Sequence, residues 1–183
     1  MAAQCKLTLQ EGDQAPAFSA PDQQGKTISL DQFRGRHVLL YFYPKDDTPG
    51  CTKEACGFRD SWSDLKKQGV VVIGISPDNE ASHRKFIDKY QLPFLLLCDT
   101  DRKVMEKYGA YGEKMMYGKP VTGVIRSTVW VGAPWPMWGE VTYATRTPGA
   151  RVSSKTSSLL RMMAGIVLRS SRRLSSRSAS QRS

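Results

Sequence analysis

The chain has 183 residues, of which 40% are hydrophobic, and this is enough for one domain with a buried core. No run of about eighteen apolar residues occurs, which excludes a membrane-spanning helix. The first residues have neither the apolar segment of a secretory signal nor the Arg- and Ser-rich character of a transit peptide. We therefore expect a cytoplasmic protein.

The formal net charge of +10 is unevenly distributed along the chain. Residues 1–132 carry 18 Lys and Arg against 16 Asp and Glu, a balance of +2. Residues 133–183 carry nine against one, a balance of +8. Because the excess belongs to the end of the chain, it does not indicate that the domain itself binds nucleic acid.

The first half of the chain predicts alternating strands and helices. Asp22 to Gly25 is typical of a hairpin turn between two short strands. HVLLYFYP, residues 37–44, is a β-branched and aromatic run too continuous for a surface strand, so we expect a central one. From Cys51 to about Lys67, apolar residues recur at helical spacing.

The pattern continues as far as residue 132. The remaining predicted elements are strands at residues 70–76, 94–98 and 124–131, and helices at residues 80–90 and 102–108. We interpret KYGAYGEKMMYGK, residues 107–119, as a loop that borders the site. Such alternation predicts an α/β fold in which helices cover a sheet.

After residue 132 this pattern ends. Residues 133–183 contain one acidic residue, Glu140, many Ser and Arg, and no clean periodicity. Pro134 and Pro136 oppose a regular strand, and no amphipathic helix follows. We predict one domain over residues 1–132 and a disordered basic tail over residues 133–183.

Two of the four cysteines, Cys51 and Cys56, lie five residues apart. Cys51 follows the Pro49-Gly50 turn and opens a predicted helix, where the helix dipole and unsatisfied N–H groups favour the reactive thiolate. Thr48 can place a hydroxyl beside the sulfur. The structural alternatives are a buried apolar cysteine and a capping threonine, but the succession of strand end, turn and helix favours a reactive thiol.

The spacing of the two cysteines bears on how they can react. In an intact helix, positions i and i+5 lie about 7.5 Å apart along the axis and about 140° apart around it. A disulfide needs Cα atoms within about 7 Å, so Cys51 and Cys56 can bond only if the helix unwinds. Cys51 would first form a sulfenic acid, which Cys56 would then resolve. The pair has no second ligand pair nearby, so we expect neither zinc nor another cofactor.

The pattern PxxxTxxC, present as Pro44, Thr48 and Cys51, is the active-site signature of peroxiredoxins. YFYPKDDTPGCTKEAC, followed by FRDSW, resembles the Q-type or bacterioferritin-comigratory-protein subfamily, and the resemblance extends over residues 6–132. It implies a thioredoxin-like fold with a central mixed sheet flanked by helices. It also implies reduction of hydrogen peroxide and organic hydroperoxides, with thioredoxin as the reductant.

The same resemblance assigns roles by position. Cys51 is the peroxidatic cysteine and Cys56 the resolving one, while Thr48 would orient the peroxide and Pro44 would shield the site from water. Arg126, in VIRST, matches the family's active-site arginine, whose charge would hold Cys51 as a thiolate and stabilise the breaking O–O bond. Because Q-type relatives are often monomers, we expect a monomer. We expect neither a membrane nor a specific nucleic acid as a partner.

Other candidate residues are interpreted as structural. Cys98 follows an apolar run and is expected to be a buried, inert thiol, and Cys5 lies near the N-terminus. His37 opens a strand and His83 lies among residues of a helix surface. Neither histidine is therefore expected to act as a base.

Two alternatives remain open. A general dithiol oxidoreductase would also use two cysteines, but their spacing and Thr48 oppose it. A binder of nucleic acid or another anionic surface would use the arginines of residues 133–183.

The family continues after residue 132 with an edge strand and a final helix, which we expect to be missing here. We hypothesise that the reading frame shifts near that residue.

Overall fold

The computed structural model describes residues 9, 12–116, 118–132 and 141–146. In chain order, its elements are strands β1 (Ser19–Pro21) and β2 (Thr27–Ser29), a 3₁₀ helix (Leu30–Phe33), strand β3 (His37–Phe42), helices α1 (Pro49–Asp60) and α2 (Trp62–Lys67), strand β4 (Val70–Ser76), helix α3 (Glu80–Tyr90), strand β5 (Leu95–Cys98), helix α4 (Lys103–Lys107), and strands β6 (Tyr111–Met116), β7 (Lys119–Val124), β8 (Ser127–Val131) and β9 (Val141–Arg146).

Five strands form one mixed sheet in the order β5-β4-β3-β8-β9. Strand β3 lies in the middle, parallel to β4 and antiparallel to β8. This confirms the central strand predicted from HVLLYFYP and the mixed sheet flanked by helices. Among the described residues, no helix has the length and apolar run that crossing a membrane requires.

Both faces of the sheet are buried. Alternate residues of β3 contribute to two apolar clusters, Val38, Leu40 and Phe42 to one and Leu39, Tyr41 and the following Tyr43 to the other. Helices α1, α2 and α3 cover the second face. Successive side chains of a strand point to opposite faces of the sheet. Because both faces of β3 are buried, its sequence is apolar without interruption. Packing on both faces therefore holds the end of β3, from which the chain continues to α1, in place.

Three predicted elements differ in the structure. The helix after Cys51 is divided at Ser61 into α1 and α2, and the strand predicted over residues 124–131 begins only at Ser127. Within residues 107–119, interpreted as a loop, Tyr111–Met116 forms β6 and Lys119 begins β7. The two strands pair as an antiparallel hairpin. Gly118, with φ of 78°, lies in the turn of this hairpin, where glycine meets no steric penalty.

The last described strand lies within the predicted tail. Strand β9 pairs antiparallel with β8, and Thr145 lies opposite Thr128. The edge strand that the sequence analysis expects to be missing is therefore present as Val141–Arg146. Residues 133–140 and 147–183 lie outside the described residues, so disorder there, the missing helix and the frameshift stay predictions.

The turn between β1 and β2 lies against β5. Asp22 forms an isolated antiparallel bridge with Leu97, and the Leu96 N–H donates to Oε1 of Gln23 over 3.3 Å. Within the turn, Oδ1 of Asp22 accepts hydrogen bonds from two later backbone N–H groups. This confirms the predicted turn, in which the aspartate side chain accepts in addition to the Asp22 carbonyl oxygen.

Candidate active site

Cys51 lies in the first turn of α1, as predicted, although the helix begins two residues earlier at Pro49. Proline suits this position because its fixed φ matches the helix and its missing N–H has no helical partner there. Thr48 is the N-cap residue and has an extended backbone. The Cys51 side chain is only 1% exposed and is not in a disulfide. Its sulfur is thus held at the positive end of the helix dipole, away from bulk water.

Arg126 is brought to this sulfur by strand pairing. It directly precedes β8, whose first residue, Ser127, pairs with Phe42 at the end of β3. The Arg126 side chain therefore lies beside the loop that leads into α1. Its Nη2 atom donates a hydrogen bond to Sγ of Cys51 over 3.2 Å. The predicted proximity of Arg126 and Cys51 is present in the structure.

Gly50 leaves the space that this arginine occupies. A Cβ atom at Gly50 would lie 2.9 Å from Nη2 and 3.3 Å from Cζ of Arg126. Real Cβ atoms are essentially never found within 3.0 Å of such a neighbour. A glycine directly before Cys51 therefore lets the guanidinium approach the start of α1 closely. The sequence analysis assigned this glycine only to a turn.

Glu54 is a site residue that the sequence analysis missed. Its Oε2 atom lies 3.4 Å from Nη1 of Arg126, and its side chain is 11% exposed. Burial raises the pKa of this carboxyl group to about 7, although the charge of Arg126 opposes the shift. The sequence feature that could have identified Glu54 as a site residue is its position three residues after Cys51, because residues i and i+3 share a helix face.

Thr48 and Pro44 lie in the segment between β3 and α1. The Thr48 hydroxyl donates to the carbonyl oxygen of Lys45 over 3.1 Å, and the Thr48 carbonyl oxygen accepts from the Thr52 N–H over 2.8 Å. The hydroxyl is therefore oriented by the loop itself, and its oxygen can still accept a hydrogen bond. Pro44 is partly buried.

Cys56 lies one and a half turns after Cys51 on the same helix and is also a free thiol. Burial raises the pKa of the Cys56 thiol above its ordinary value, while the charge of Arg59 opposes the shift. In the intact helix this thiol therefore remains protonated and weakly nucleophilic.

The other candidate residues have different outcomes. Burial raises the pKa of Cys98 to about 12, which agrees with the predicted inert thiol, whereas Cys5 lies outside the described residues. The prediction that His83 lies on a helix surface is wrong, since the side chain is fully buried and its Nδ1 atom lies 2.8 Å from Oδ2 of Asp46. Ser82 and Arg84, its polar neighbours in sequence, concealed this orientation.

Comparison with known proteins agrees with this fold. The model of the AhpC/TSA family matches residues 11–132, and the chain belongs to that family. It is 48% identical over 125 residues to "Peroxiredoxin Bcp" of Escherichia coli, an alignment that covers 68% of this chain and 80% of that protein.

Two solved structures extend the comparison to the fold. A structure of Peroxiredoxin Q from Xanthomonas campestris is 30% identical, with a TM-score of 0.67 over 87% of this chain and 94% of that one. Peroxidoxin BcpB from Mycobacterium tuberculosis is 28% identical, with a TM-score of 0.66 over 87% and 96%. The chain is a thiol peroxidase with the thioredoxin-like fold of Q-type peroxiredoxins, and these relatives favour neither alternative function.

Proposed function

We propose that this peroxidase reduces hydrogen peroxide and organic hydroperoxides at Cys51, with Cys56 as the resolving cysteine and thioredoxin as the reductant. The observation that carries the proposal is the 3.2 Å contact between Nη2 of Arg126 and Sγ of Cys51. A permanent positive charge beside a thiol favours the thiolate, which is the nucleophile in peroxide reduction.

In the first step, the Cys51 thiolate attacks the terminal oxygen of ROOH. The S–O bond forms as the O–O bond breaks, the sulfur is oxidised to sulfenic acid, and RO⁻ leaves and is protonated to ROH. Arg126 stabilises the negative charge that develops on the oxygens. Thr48 orients the peroxide by accepting a hydrogen bond from its O–H group, and Pro44 limits the access of water.

In the second step, the Cys56 thiol attacks the Cys51 sulfenic acid, and a disulfide and one water form. This step requires α1 to unwind, because the two cysteines are five helical positions apart. Unwinding also exposes Cys56 to water and so removes the burial that raises its pKa. The reduced dithiol of thioredoxin then returns both cysteines to thiols and becomes a disulfide. The predicted monomeric state and cytoplasmic location stay predictions.

Stopped-flow fluorescence tests the two steps. Trp62 begins α2, two residues after α1 ends at Asp60, and its ring centroid lies 6.1 Å from that of Phe94, so it should report unwinding. We expect a fast phase that is lost in Cys51→Ser and a slower phase that is lost in Cys56→Ser. A folded wild-type protein without a peroxide-dependent phase would contradict the proposal.

Turnover assays test the reductant. We expect peroxide consumption with NADPH, thioredoxin reductase and thioredoxin, and no comparable reduction of insulin by the protein itself. Rapid insulin reduction with slow peroxide consumption would instead support the general dithiol oxidoreductase. Turnover with glutathione but not with thioredoxin would leave the peroxidase chemistry intact and contradict only the proposed reductant.

A further inference from the structure

A buried carboxylate lies at the centre of the segment that carries Thr48. We call residues 43–48, which join β3 to α1, the pocket loop. Asp46 is 6% exposed and lies two residues from Pro44 and two from Thr48. A buried carboxylate is destabilising unless hydrogen-bond donors satisfy it. Its environment should therefore explain how the pocket loop is held.

Three side chains donate to the Asp46 carboxylate. The Tyr43 hydroxyl donates to Oδ1 over 2.7 Å, and the Ser82 hydroxyl donates to Oδ2 over 2.7 Å. Nδ1 of His83 lies 2.8 Å from the same Oδ2 atom. Two of the three donors belong to α3, so this helix is attached to the middle of the pocket loop.

His83 extends the attachment to the sheet. Its Nε2 atom lies 3.2 Å from the carbonyl oxygen of Leu97 in β5, and its side chain is fully buried. Each ring nitrogen of His83 therefore faces an oxygen, one of the Asp46 carboxylate and one of the Leu97 carbonyl group. The imidazole thus connects the pocket loop, α3 and β5.

The backbone of Asp46 has an attachment of its own. Its N–H donates to Oδ2 of Asp78 over 2.8 Å, and the same oxygen accepts from the Ser76 hydroxyl over 2.9 Å at the end of β4. These contacts attach the loop to the end of β4 and to Asp78. The attached residues of the pocket loop, Tyr43 and Asp46, precede Pro49, whereas both cysteines lie after it.

We propose that Asp46 and His83 are positioning residues that keep the pocket loop in place while the start of α1 unwinds. The inference rests on the proposed function. The chain is then divided at Thr48 into a fixed wall, which presents Pro44 and the Thr48 hydroxyl to the peroxide, and a helix start that opens and closes. Because the wall does not move, the pocket is ready for the next peroxide as soon as α1 refolds.

The test separates the two fluorescence phases in Asp46→Asn, Tyr43→Phe, His83→Leu and His83→Asn. Since a misplacement of about 1 Å can cost about 10²-fold in rate, we expect the fast phase to slow at least about tenfold in Asp46→Asn and His83→Leu. Asparagine can still donate to Asp46 from near the Nδ1 position, so His83→Asn should recover most of the rate. The slow phase should change by less than about twofold, because the attached residues of the pocket loop lie before α1 and make none of these contacts to the helix.

Asp31→Asn is the matched control, since it makes the same chemical change outside the pocket loop. The Asp31 carboxylate pairs with Arg34 at the surface and is 59% exposed, so this variant should keep the wild-type fast phase. Circular dichroism and thermal melts identify the folded variants, and Tyr43→Phe, which removes one donor, provides a mild change if His83→Leu does not fold.

The outcomes are distinct. A slower fast phase with rescue in His83→Asn supports the inference. An unchanged fast phase in folded Asp46→Asn and Tyr43→Phe overturns it and leaves the proposed function intact. If the second, slower phase is the only one that changes and it becomes faster, the inference is also overturned, because Asp46 and His83 then only stabilise the fold. A wild-type protein without either phase overturns the proposed function and the inference together.

Discussion

Arg126 and Cys51 lie 75 residues apart in the chain, yet Nη2 of the arginine is 3.2 Å from Sγ of the cysteine. The contact depends on the antiparallel pairing of β3 with β8, which places Ser127 opposite Phe42. Nη1 of the same guanidinium lies 3.4 Å from Oε2 of Glu54. One planar group therefore contacts two residues of α1, Cys51 and Glu54.

Arg126→Lys should slow the reaction of Cys51 with hydrogen peroxide by about 10²-fold, although it keeps the positive charge. A lysine ammonium lacks the planar fork that contacts Cys51 and Glu54 through separate nitrogens. The rate constant of the fast fluorescence phase measures the effect. Arg34→Lys, at a side chain that is 69% exposed, is the control and should stay within about twofold of wild type. Equal slowing in the two variants would contradict the prediction.

Gly50→Ala should lower activity without lowering stability. The new methyl group would lie 2.9 Å from Nη2 of Arg126, so the guanidinium must move. Alanine within a helix is favoured over glycine by up to about 1 kcal/mol. We expect the fast phase to slow by about tenfold or more while the melting temperature stays equal or rises. An unchanged rate would show that the position of the guanidinium is not critical, and a lower melting temperature would show that alanine does not fit.

Glu54→Gln should change how stability depends on pH. Burial raises the pKa of Glu54 from 4.5 to about 7, so between these values the folded chain holds a proton that the unfolded chain releases. The contribution of Glu54 to stability is therefore present at low pH and is lost as the pH rises towards 7. Between pH 5 and pH 7.5, wild type should lose about 2 kcal/mol that the variant does not lose.

Urea unfolding at these two pH values measures that difference. The free energies of unfolding of wild type and Glu54→Gln should diverge as the pH rises, in favour of the variant. Asp101→Asn is a useful comparison, because Lys103 lowers the pKa of this exposed carboxyl group, so its contribution is present at both pH values and is lost only as the pH falls below 3.8 and through the lowered pKa. Parallel pH profiles for wild type and Glu54→Gln would contradict the raised pKa.

Lys53→Gly should form the Cys51–Cys56 disulfide faster than Lys53→Ala. Both variants remove the same charge between the two cysteines, but glycine weakens the helix by about 1 kcal/mol relative to alanine. If unwinding of α1 limits the slow phase, the glycine variant should be about fivefold faster in that phase and unchanged in the fast one. The same pair of substitutions at Lys85 in α3 should show no difference. Equal slow phases in both Lys53 variants would mean that unwinding is not limiting.

The strands of the sheet were predictable because their apolar runs reflect burial on both faces. HVLLYFYP and VVVIGIS are continuous for this reason, and both are strands in the structure. The hairpin of β6 and β7 was missed because residues such as Lys119 and Thr122 are exposed, and a strand outside the core lacks the apolar signal. Strand β9 was missed because its neighbours in sequence, Pro134 and Pro136, favour irregular structure.

The site was predictable only in part, for a similar reason. Cys51, Cys56, Thr48 and Pro44 form a contiguous motif, and the resemblance supplied Arg126. Glu54 and Gly50 matter through their contacts with Arg126, which no local pattern records. His83 was assigned to the wrong side of its helix because its polar neighbours suggested a solvated face. A buried imidazole is paired through the fold, with Asp46 37 residues away.

The turn at Asp22 also determines where the five-stranded sheet could grow. An edge strand presents unpaired N–H and C=O groups on which a further strand can assemble. At β5, the bridge from Asp22 to Leu97 and the Gln23 side chain already occupy such groups. Addition of a strand is therefore hindered beyond β5, one end of the strand order. The short N-terminal hairpin thus gives the sheet one protected border.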